Sequence, residues 1–174
     1  MKDFGYDFKV VVSDFNEQDI ALSPTQTAVY NAVGKATATF NNLENKNGVA
    51  VLGADTVVFF NNTLLGKPKD SNDATNTLKL LSNNTHKVVT GYAITTLSGT
   101  VSGFSESKVT FNNLTNEQIK EYVDSKKPLD KAGAYGIQDG YGLVKSFSGS
   151  LNNVVGLPIE EIKPILDKIL KTDD

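Results

Sequence analysis

Apolar and polar residues alternate along this chain in patterns that predict short strands interspersed with amphipathic helices. The clearest strand signals are two apolar runs, at 49–52 and 57–60, which lie on either side of Asp55. Asn61-Asn62 follows these runs, and because Asn tolerates left-handed backbone conformations, this pair predicts a tight turn into a return strand at 63–65. We therefore expect a central hairpin, around which the other elements are organised.

Four helices are predicted by apolar residues that recur at helical spacing. Ser23-Pro24-Thr25-Gln26 and Thr115-Asn116-Glu117-Gln118 each have the pattern of a capping box, in which a hydroxyl and a glutamine satisfy free N–H groups at a helix start. A further helix is expected at 71–82, and the last one follows Gly156-Leu157-Pro158. The residues predicted to face inward are Ala28, Val29, Ala32, Val33, Ala36 and Phe40; Ala74, Leu78 and Leu81; Ile119, Tyr122 and Val123; and Ile159, Ile162, Ile165, Leu166 and Ile169.

The remaining apolar runs predict additional strands, and Ser98-Gly99 predicts a second hairpin turn between two of them. These strands are expected at 8–12, 86–97, 100–111 and 141–147. Strands and helices are intermixed, and neither an internal repeat nor a linker interrupts them. The sequence therefore predicts an α/β fold with a mixed sheet and helices packed on it, in a single domain over residues 1–174.

Composition narrows the class of protein. Hydrophobic residues make up 39% and charged residues 21%, which is ordinary for a globular protein. The net charge of -3 and the lack of a basic tail argue against a nucleic-acid polymer as partner. No apolar run is long enough to span a membrane, no secretory signal pattern is present, and the absence of cysteine fits a cytoplasmic location.

All 17 basic residues other than the single histidine are lysines. Because arginine is missing, any phosphate has to be held by ammonium groups and backbone N–H groups, and not by bidentate guanidinium groups. The one histidine, His86, has no cysteine or second histidine to accompany it, so we interpret it as structural.

Candidate chemistry rests on carboxylates and lysines at the ends of apolar runs. Phosphate-binding loops of the form GxxxxGK[ST], GxGxxG loops, GxSxG and HExxH are all absent. What remains is Glu17, Lys35, Asp55, Lys67, Asp130 and Lys131. Carboxylate oxygens suit Mg²⁺ or Mn²⁺, and lysines beside such a cation suit a polyphosphate. The alternatives are a surface salt bridge between Asp55 and Lys67, a solvated loop acid at Glu17, and a lysine at position 35 that extends into solvent.

Six motifs in order resemble the Maf family of nucleoside triphosphate pyrophosphatases over nearly the whole chain. These are GADTVV, LGKP, LLS followed by HKVVTG, TFNNLTNEQIKEYV, DKAGAYGIQ and NVVGLP. The resemblance implies an elongated α/β fold with a highly twisted mixed sheet and a cleft between two lobes. It also implies hydrolysis of a nucleoside triphosphate to the monophosphate and pyrophosphate with a divalent metal, Mg²⁺ or Mn²⁺.

The resemblance also implies roles for particular residues. Asp55 of GADT would activate the attacking water as general base or metal-linked carboxylate, and Glu17 would help to hold the metal. Lys35 and Lys67 would contact phosphates.

Three further residues are implied to bind substrate. Lys131 of DKAG lies beside Asp130 in the expected cleft. Thr56 and Gln138 match the branch of the family that prefers dTTP and UTP, so the expected substrate is a pyrimidine nucleotide. Tyr135 and Ile137 are expected to pack the loop.

The chain departs from the family pattern at its start, where the family has a strand and an SxSPRR loop that supplies two arginines. Ser23-Pro24 is similar in letters but lies between Glu17 and Lys35, and we interpret it as a helix cap. The expected consequence is an apparent absence of the phosphate-binding loop. This favours an alternative function, in which a catalytically weak relative acts as a nucleotide-binding or division-linked regulatory protein. An uncovered sheet edge would also favour a homodimer.

Overall fold

A computed structural model describes residues 5–17 and 23–172. The five helices and five strands of these segments are α1 (Pro24–Asn41), β1 (Val51–Phe60), β2 (Thr63–Leu65), α2 (Ser71–Leu81), β3 (Thr85–Thr96), β4 (Gly99–Phe111), α3 (Asn116–Asp124), β5 (Val144–Ser148), α4 (Leu151–Val155) and α5 (Ile159–Thr172). Between α3 and β5 the chain makes three short 3₁₀ turns, at Lys127–Asp130, Ala132–Ala134 and Ile137–Asp139. None of the helices in this part of the chain is long and apolar enough to cross a membrane.

The five strands form one sheet in the order β2-β1-β3-β4-β5, and the α/β prediction is confirmed. The predicted mixed sheet is wrong for the described residues, because all four strand pairings are antiparallel. Two of the pairings are hairpins closed by tight turns, which can join only antiparallel strands. The Asn61-Asn62 turn is confirmed, with φ values of 48° and 62°.

Strand β2 is much shorter than β1, and the groove described below lies beside the part of β1 that β2 does not cover. β2 pairs only with residues 58–60 of β1, whereas β3 pairs with residues 51–59 on the other side. Among the described residues, positions 51–57 of β1 therefore have no strand neighbour on the β2 side. The two apolar runs predicted on either side of Asp55 belong to this one continuous strand.

Helix α1 packs closely on one face of the sheet. Its capping box is present as predicted, and Ala28, Ala32 and Ala36 are fully buried against β1 and β3. The approach depends on glycine, because a Cβ at Gly53 would lie 2.5 Å from the carbonyl oxygen of Ala32 and one at Gly91 only 2.3 Å from the carbonyl carbon of Ala28. Phe40 is buried as predicted, while Val29 and Val33 are only half-buried.

The opposite face of the sheet carries the larger core. The inward residues predicted for α2 and α3 are all buried there around Phe111, and the Thr115 capping box is confirmed. Ile159, Ile162 and Leu166 of α5 form a second cluster with residues of β3, whereas Ile165 and Ile169 of the same helix are only partly buried. His86 is buried in the larger core between the rings of Phe111 and Tyr135.

Three predictions about secondary structure need correction. Residues 8–12 form no strand, and Val10 and Val12 are 85% and 92% exposed, because no neighbouring strand in the described residues pairs with them. Strand β5 begins at Val144 and not at 141, since Gly142 has a left-handed φ of 65° that interrupts extended backbone. The short helix α4 was not predicted at all.

Candidate functional site

A groove of about 590 Å³ runs beside the uncovered part of β1, between α1, β2, the 3₁₀ turns and α4. It brings together all seven residues that the sequence marked as site residues. Its lining includes Glu17, Lys35, Asp55, Thr56, Lys67, Lys131 and Gln138, together with Asp130. Asp55 and Thr56 are adjacent in a strand, so their side chains leave on opposite faces of the sheet. Both reach the groove because the edge of β1 is open at this point.

Helix α1 fixes the carboxylate of Asp55. Asn31 and Lys35 are four residues apart, which places them on the same face of the helix, over β1. The side-chain amide of Asn31 donates to Asp55 Oδ2 at 3.1 Å, and the ammonium of Lys35 donates to Asp55 Oδ1 at 2.8 Å. Asp55 is only 8% exposed, so these two contacts hold a nearly buried carboxylate in one orientation.

Lys35 also reaches a second carboxylate. Its Nζ lies 2.6 Å from Glu17 Oε1 and donates to the carbonyl oxygen of Ala54 at 3.3 Å. Burial alone would lower the pKa of Lys35, but its hydrogen bonds to Asp55 and Glu17 outweigh burial and raise it. The hydrogen bond from Lys35 lowers the pKa of Glu17 in turn. The Lys35–Glu17 contact therefore stabilises the charged forms of both of these groups.

Glu17 and Asp55 are the carboxylates of this arrangement that could bind a divalent cation. Among the described residues there is no group of three or more His, Asp or Glu side chains that could hold a metal ion. However, Glu17 and Asp55 converge on one cationic atom, Lys35 Nζ, so their oxygens are close enough to share a cation. Mg²⁺ commonly takes one or two carboxylates and completes its shell with water and substrate phosphates. The two carboxylates fit such a site.

Lys67 and Lys131 bring further positive charge into the groove. Lys131 Nζ donates to Asp130 Oδ1 at 2.7 Å and to the carbonyl oxygen of Lys127 at 2.6 Å, and it lies 3.9 Å from Asp139 Oδ2. The pKa of Asp130 is lowered mainly by the hydrogen bond from Lys131, and Lys67 adds a smaller effect in the same direction. Since Lys67 also lowers the pKa of Glu17, its ammonium lies within electrostatic reach of both sides of the groove.

Tyr122 of α3 holds the loop that carries Gln138. Its hydroxyl donates to Asp139 Oδ2 at 2.6 Å and accepts from the backbone N–H of Gly136 at 2.9 Å. Burial and the hydrogen bond to Asp139 raise the pKa of Tyr122, so the hydroxyl keeps its proton. These contacts fix the loop on both sides of Ile137 and Gln138, and Gln138 remains exposed to the groove.

Helix α4 closes the groove beside Thr56. The Thr56 hydroxyl lies 2.9 Å from that of Thr90 in β3, and Thr90 in turn contacts Asn153 of α4. Sequence reasoning missed Asn31, Thr90 and Asn153. The only available signals were the i, i+4 spacing of Asn31 and Lys35 and the position of Asn153 within the NVVGLP motif.

His86 lies behind this groove in the core. Its Nε2 is hydrogen-bonded to the Tyr135 hydroxyl at 2.8 Å, and burial lowers its pKa to about 4. His86 is therefore neutral at pH 7, in agreement with the structural interpretation. Tyr135 belongs to both the core and the groove, since it packs in the core cluster and also lines the groove.

Comparison with known proteins identifies the family of the chain. The family model described as Maf-like protein matches residues 1–169. A protein of Clostridium botulinum (strain Okra / Type B1) named dTTP/UTP pyrophosphatase is 42% identical over 165 residues, which cover 92% of this chain and 85% of the relative. A protein of Bacillus cereus (strain G9842) with the same name is 44% identical over 157 residues, covering 89% of this chain and 81% of the relative. The chain therefore belongs to the Maf family.

Proposed function

We propose that this chain is a nucleotide pyrophosphatase that hydrolyses dTTP, UTP or related modified pyrimidine nucleotides to the monophosphate and pyrophosphate. The names of its relatives in Clostridium and Bacillus support the reaction and the substrate class. The observation that carries the proposal for this chain is the pair of carboxylates, Asp55 and Glu17, on either side of the Lys35 ammonium in a groove that also contains Lys67 and Lys131.

Asp55 is proposed as the residue that activates water. Its carboxylate is nearly buried and is held by Asn31 and Lys35, so its oxygens have fixed directions. A carboxylate in this setting can orient a water molecule and accept its proton as the oxygen attacks phosphorus. Water attacks the α-phosphorus, and the bond from that phosphorus to the oxygen that bridges to the β-phosphate breaks. Pyrophosphate leaves with the bridging oxygen and the electron pair of the broken bond.

The lysines are proposed to bind the triphosphate. Lys67 and Lys131 lie in the groove near Asp130, and Lys35 lies beside Asp55. Ammonium groups at these positions neutralise phosphate charge and stabilise the negative charge that develops on the leaving pyrophosphate. A divalent metal, Mg²⁺ or Mn²⁺, held by Glu17 and Asp55 would supply further charge neutralisation at the phosphates.

We also propose a cytoplasmic location, a nucleotide partner and a homodimer. A cytoplasmic location and a nucleotide partner are consistent with housekeeping of the nucleotide pool. The homodimer rests on the outer strands of the sheet, β2 and β5, since unpaired strand edges favour association. Analytical ultracentrifugation at micromolar concentration would reveal a dimer directly.

The function is tested by pyrophosphate release from dTTP, UTP, CTP, ATP and GTP with Mg²⁺ or Mn²⁺. We expect pyrimidine-selective turnover, and a fall of about 10²- to 10⁴-fold in kcat for Asp55→Asn, which keeps the shape of the side chain but removes the base. Asp124→Asn is the matched control, because Asp124 pairs with Lys120 on the surface of α3. A folded chain that hydrolyses none of these nucleotides would contradict the proposal and favour the catalytically weak alternative.

A further inference from the structure

The hydrogen bonds behind Thr56 fix the direction in which its hydroxyl proton points. Thr90 Oγ1 lies 2.8 Å from the backbone carbonyl oxygen of Asn153, and a carbonyl can only accept. Thr90 therefore donates its single hydroxyl proton to Asn153. Its oxygen, 2.9 Å from Thr56 Oγ1, has to accept from Thr56. The one proton of Thr56 is thus directed away from the groove, and its hydroxyl presents only acceptor lone pairs there.

Burial and further hydrogen bonds of the two residues behind Thr56 favour this direction. Thr90 and Asn153 are both fully buried. The side-chain oxygen of Asn153 accepts from the Thr90 backbone N–H at 3.0 Å, and its side-chain nitrogen donates to the carbonyl oxygen of Val88 at 3.1 Å and to Ser107 Oγ at 2.8 Å. A rotation of the Thr90 hydroxyl would leave the Asn153 carbonyl with one partner fewer in a buried site, which is unfavourable.

An acceptor at this position is unsuited to phosphate, whose oxygens also accept. It suits a ligand group that carries a hydrogen. The neighbouring groove residues are an amide, Gln138, and the apolar side chains of Val154 and Val155 in α4, a combination that suits a planar base with polar edges. Uracil and thymine have an N–H at ring position 3, between two carbonyl groups. Cytosine has a bare acceptor nitrogen at the same position.

We propose that Thr56, oriented by Thr90 and Asn153, accepts the ring N3–H of uracil or thymine and thereby discriminates against cytosine. The inference rests on the proposed function, which it extends to the choice between pyrimidines. Thr90 and Asn153 are positioning residues, since they act through Thr56. With CTP, two acceptors face each other, and relieving them requires the Thr90 hydroxyl to give up its buried hydrogen bond to Asn153.

The sharpest test is Thr90→Val, which keeps the shape of the side chain but frees the Thr56 hydroxyl to rotate. The freed hydroxyl can still accept from UTP, and it can now donate to the ring nitrogen of CTP. We expect kcat/KM for UTP to stay within about threefold of wild type, while kcat/KM for CTP rises by about tenfold. Thr95→Val is the matched control, because Thr95 is a buried residue of the same strand whose hydroxyl pairs with that of Thr100 at 3.0 Å.

Substitutions at Thr56 give the opposite signature. Thr56→Val removes the acceptor, so kcat/KM for UTP should fall by about tenfold with little change for CTP, whereas Thr56→Ser should restore the wild-type ratio. A folded Thr90→Val variant that changes UTP and CTP by the same factor would overturn the inference. The same result is expected if Thr56 contacts a sugar hydroxyl instead of the base. If Thr90→Val does not fold, an unchanged ratio in Thr56→Val is the overturning result.

Hydrolysis and base selection can be measured separately. If wild-type protein hydrolyses no triphosphate, the proposed function fails, and calorimetric binding of UMP and CMP to the same variants replaces kinetics. The inference is supported if wild-type protein binds UMP more tightly than CMP, and if Thr90→Val reduces this difference in affinity by binding CMP more tightly. Equal affinities for UMP and CMP in wild-type protein overturn it.

Discussion

Replacing Lys35 with methionine tests whether the Glu17–Lys35–Asp55 arrangement also stabilises the fold. The substitution keeps the length and apolar stem of the side chain but removes the ammonium. Asp55 would then retain only the amide of Asn31 as a side-chain donor among the hydrogen bonds described above. A nearly buried carboxylate would lose its closest positive charge, whereas Glu17, about half exposed, would be solvated by water.

The magnitude follows from the two contacts. A hydrogen bond to a charged group contributes about 1.5–3 kcal/mol, and Asp55 opens toward the groove, so we take the lower half of that range for its contact with Lys35. The more exposed contact with Glu17 contributes about 0.2–1 kcal/mol. Lys35→Met should therefore lower the free energy of unfolding by about 2 kcal/mol, and Tm by roughly 4–8 °C for a chain of this size.

Urea unfolding followed by circular dichroism provides the measurement. Lys120→Met is the matched control, since Lys120 pairs with Asp124 on an exposed helix surface, and its effect should stay within about 0.5 kcal/mol. The double variant Lys35→Met/Asp55→Asn should be more stable than the sum of the single changes predicts, because removing both charges leaves no unpaired carboxylate. Strict additivity, or a loss for Lys35→Met no larger than the control, would refute the reasoning.

The effect should also depend on pH. Lys35 lowers the pKa of Glu17, so the contribution of Glu17 to stability is present above the ordinary glutamate pKa and is lost as pH falls through the lowered value. The difference in unfolding free energy between wild type and Lys35→Met should therefore shrink below that pH.

Two further predictions concern packing and the core histidine. Gly53→Ala should destabilise by about 1–3 kcal/mol in thermal unfolding, since the new methyl group would meet the backbone of Ala32, whereas Gly66→Ala, with nothing within 4 Å, should be near neutral. When pH is lowered from 7 to 4, the free energy of unfolding of wild type should fall by about 3 kcal/mol more than that of His86→Gln, as measured by urea unfolding. The reason is that His86 takes up a proton with an ordinary pKa of 6.5 in the unfolded chain but with a pKa of only about 4 in the folded protein. An equal pH dependence of the two proteins would contradict the second prediction.

Local signals in the sequence predicted most of the regular structure. The capping boxes at Ser23 and Thr115 and the Asn61-Asn62 turn are confirmed because each is satisfied by residues a few positions away. The errors arise where the outcome depends on distant contacts. The apolar run at 8–12 has the composition of a strand but no partner in the described residues, and α4 is too short to show a helical period.

In the candidate site, too, local motifs identified some residues, whereas others depend on distant contacts. Motifs identified Asp55, Thr56 and the lysines, and the structure gathers them in one groove, although their roles stay predictions. Asn153 could not be found by composition or spacing, because asparagine is abundant in this chain and ordinarily lies on the surface. Its importance comes from burial against β3, where its backbone and side chain hold Thr90.

The open edge of β1 explains how one short segment can serve two purposes. Asp55 points toward α1, where its carboxylate is hydrogen-bonded to Asn31 and Lys35. Thr56 points toward α4, where its hydroxyl is hydrogen-bonded to Thr90, which is hydrogen-bonded in turn to Asn153. A longer β2 would cover this edge and close the groove on both faces. On the functions proposed here, chemistry depends on contacts with one helix and base selection on contacts with another. Changes on the α4 side should therefore alter the ratio of kcat/KM for UTP and CTP, whereas changes on the α1 side should lower kcat for both nucleotides by the same factor.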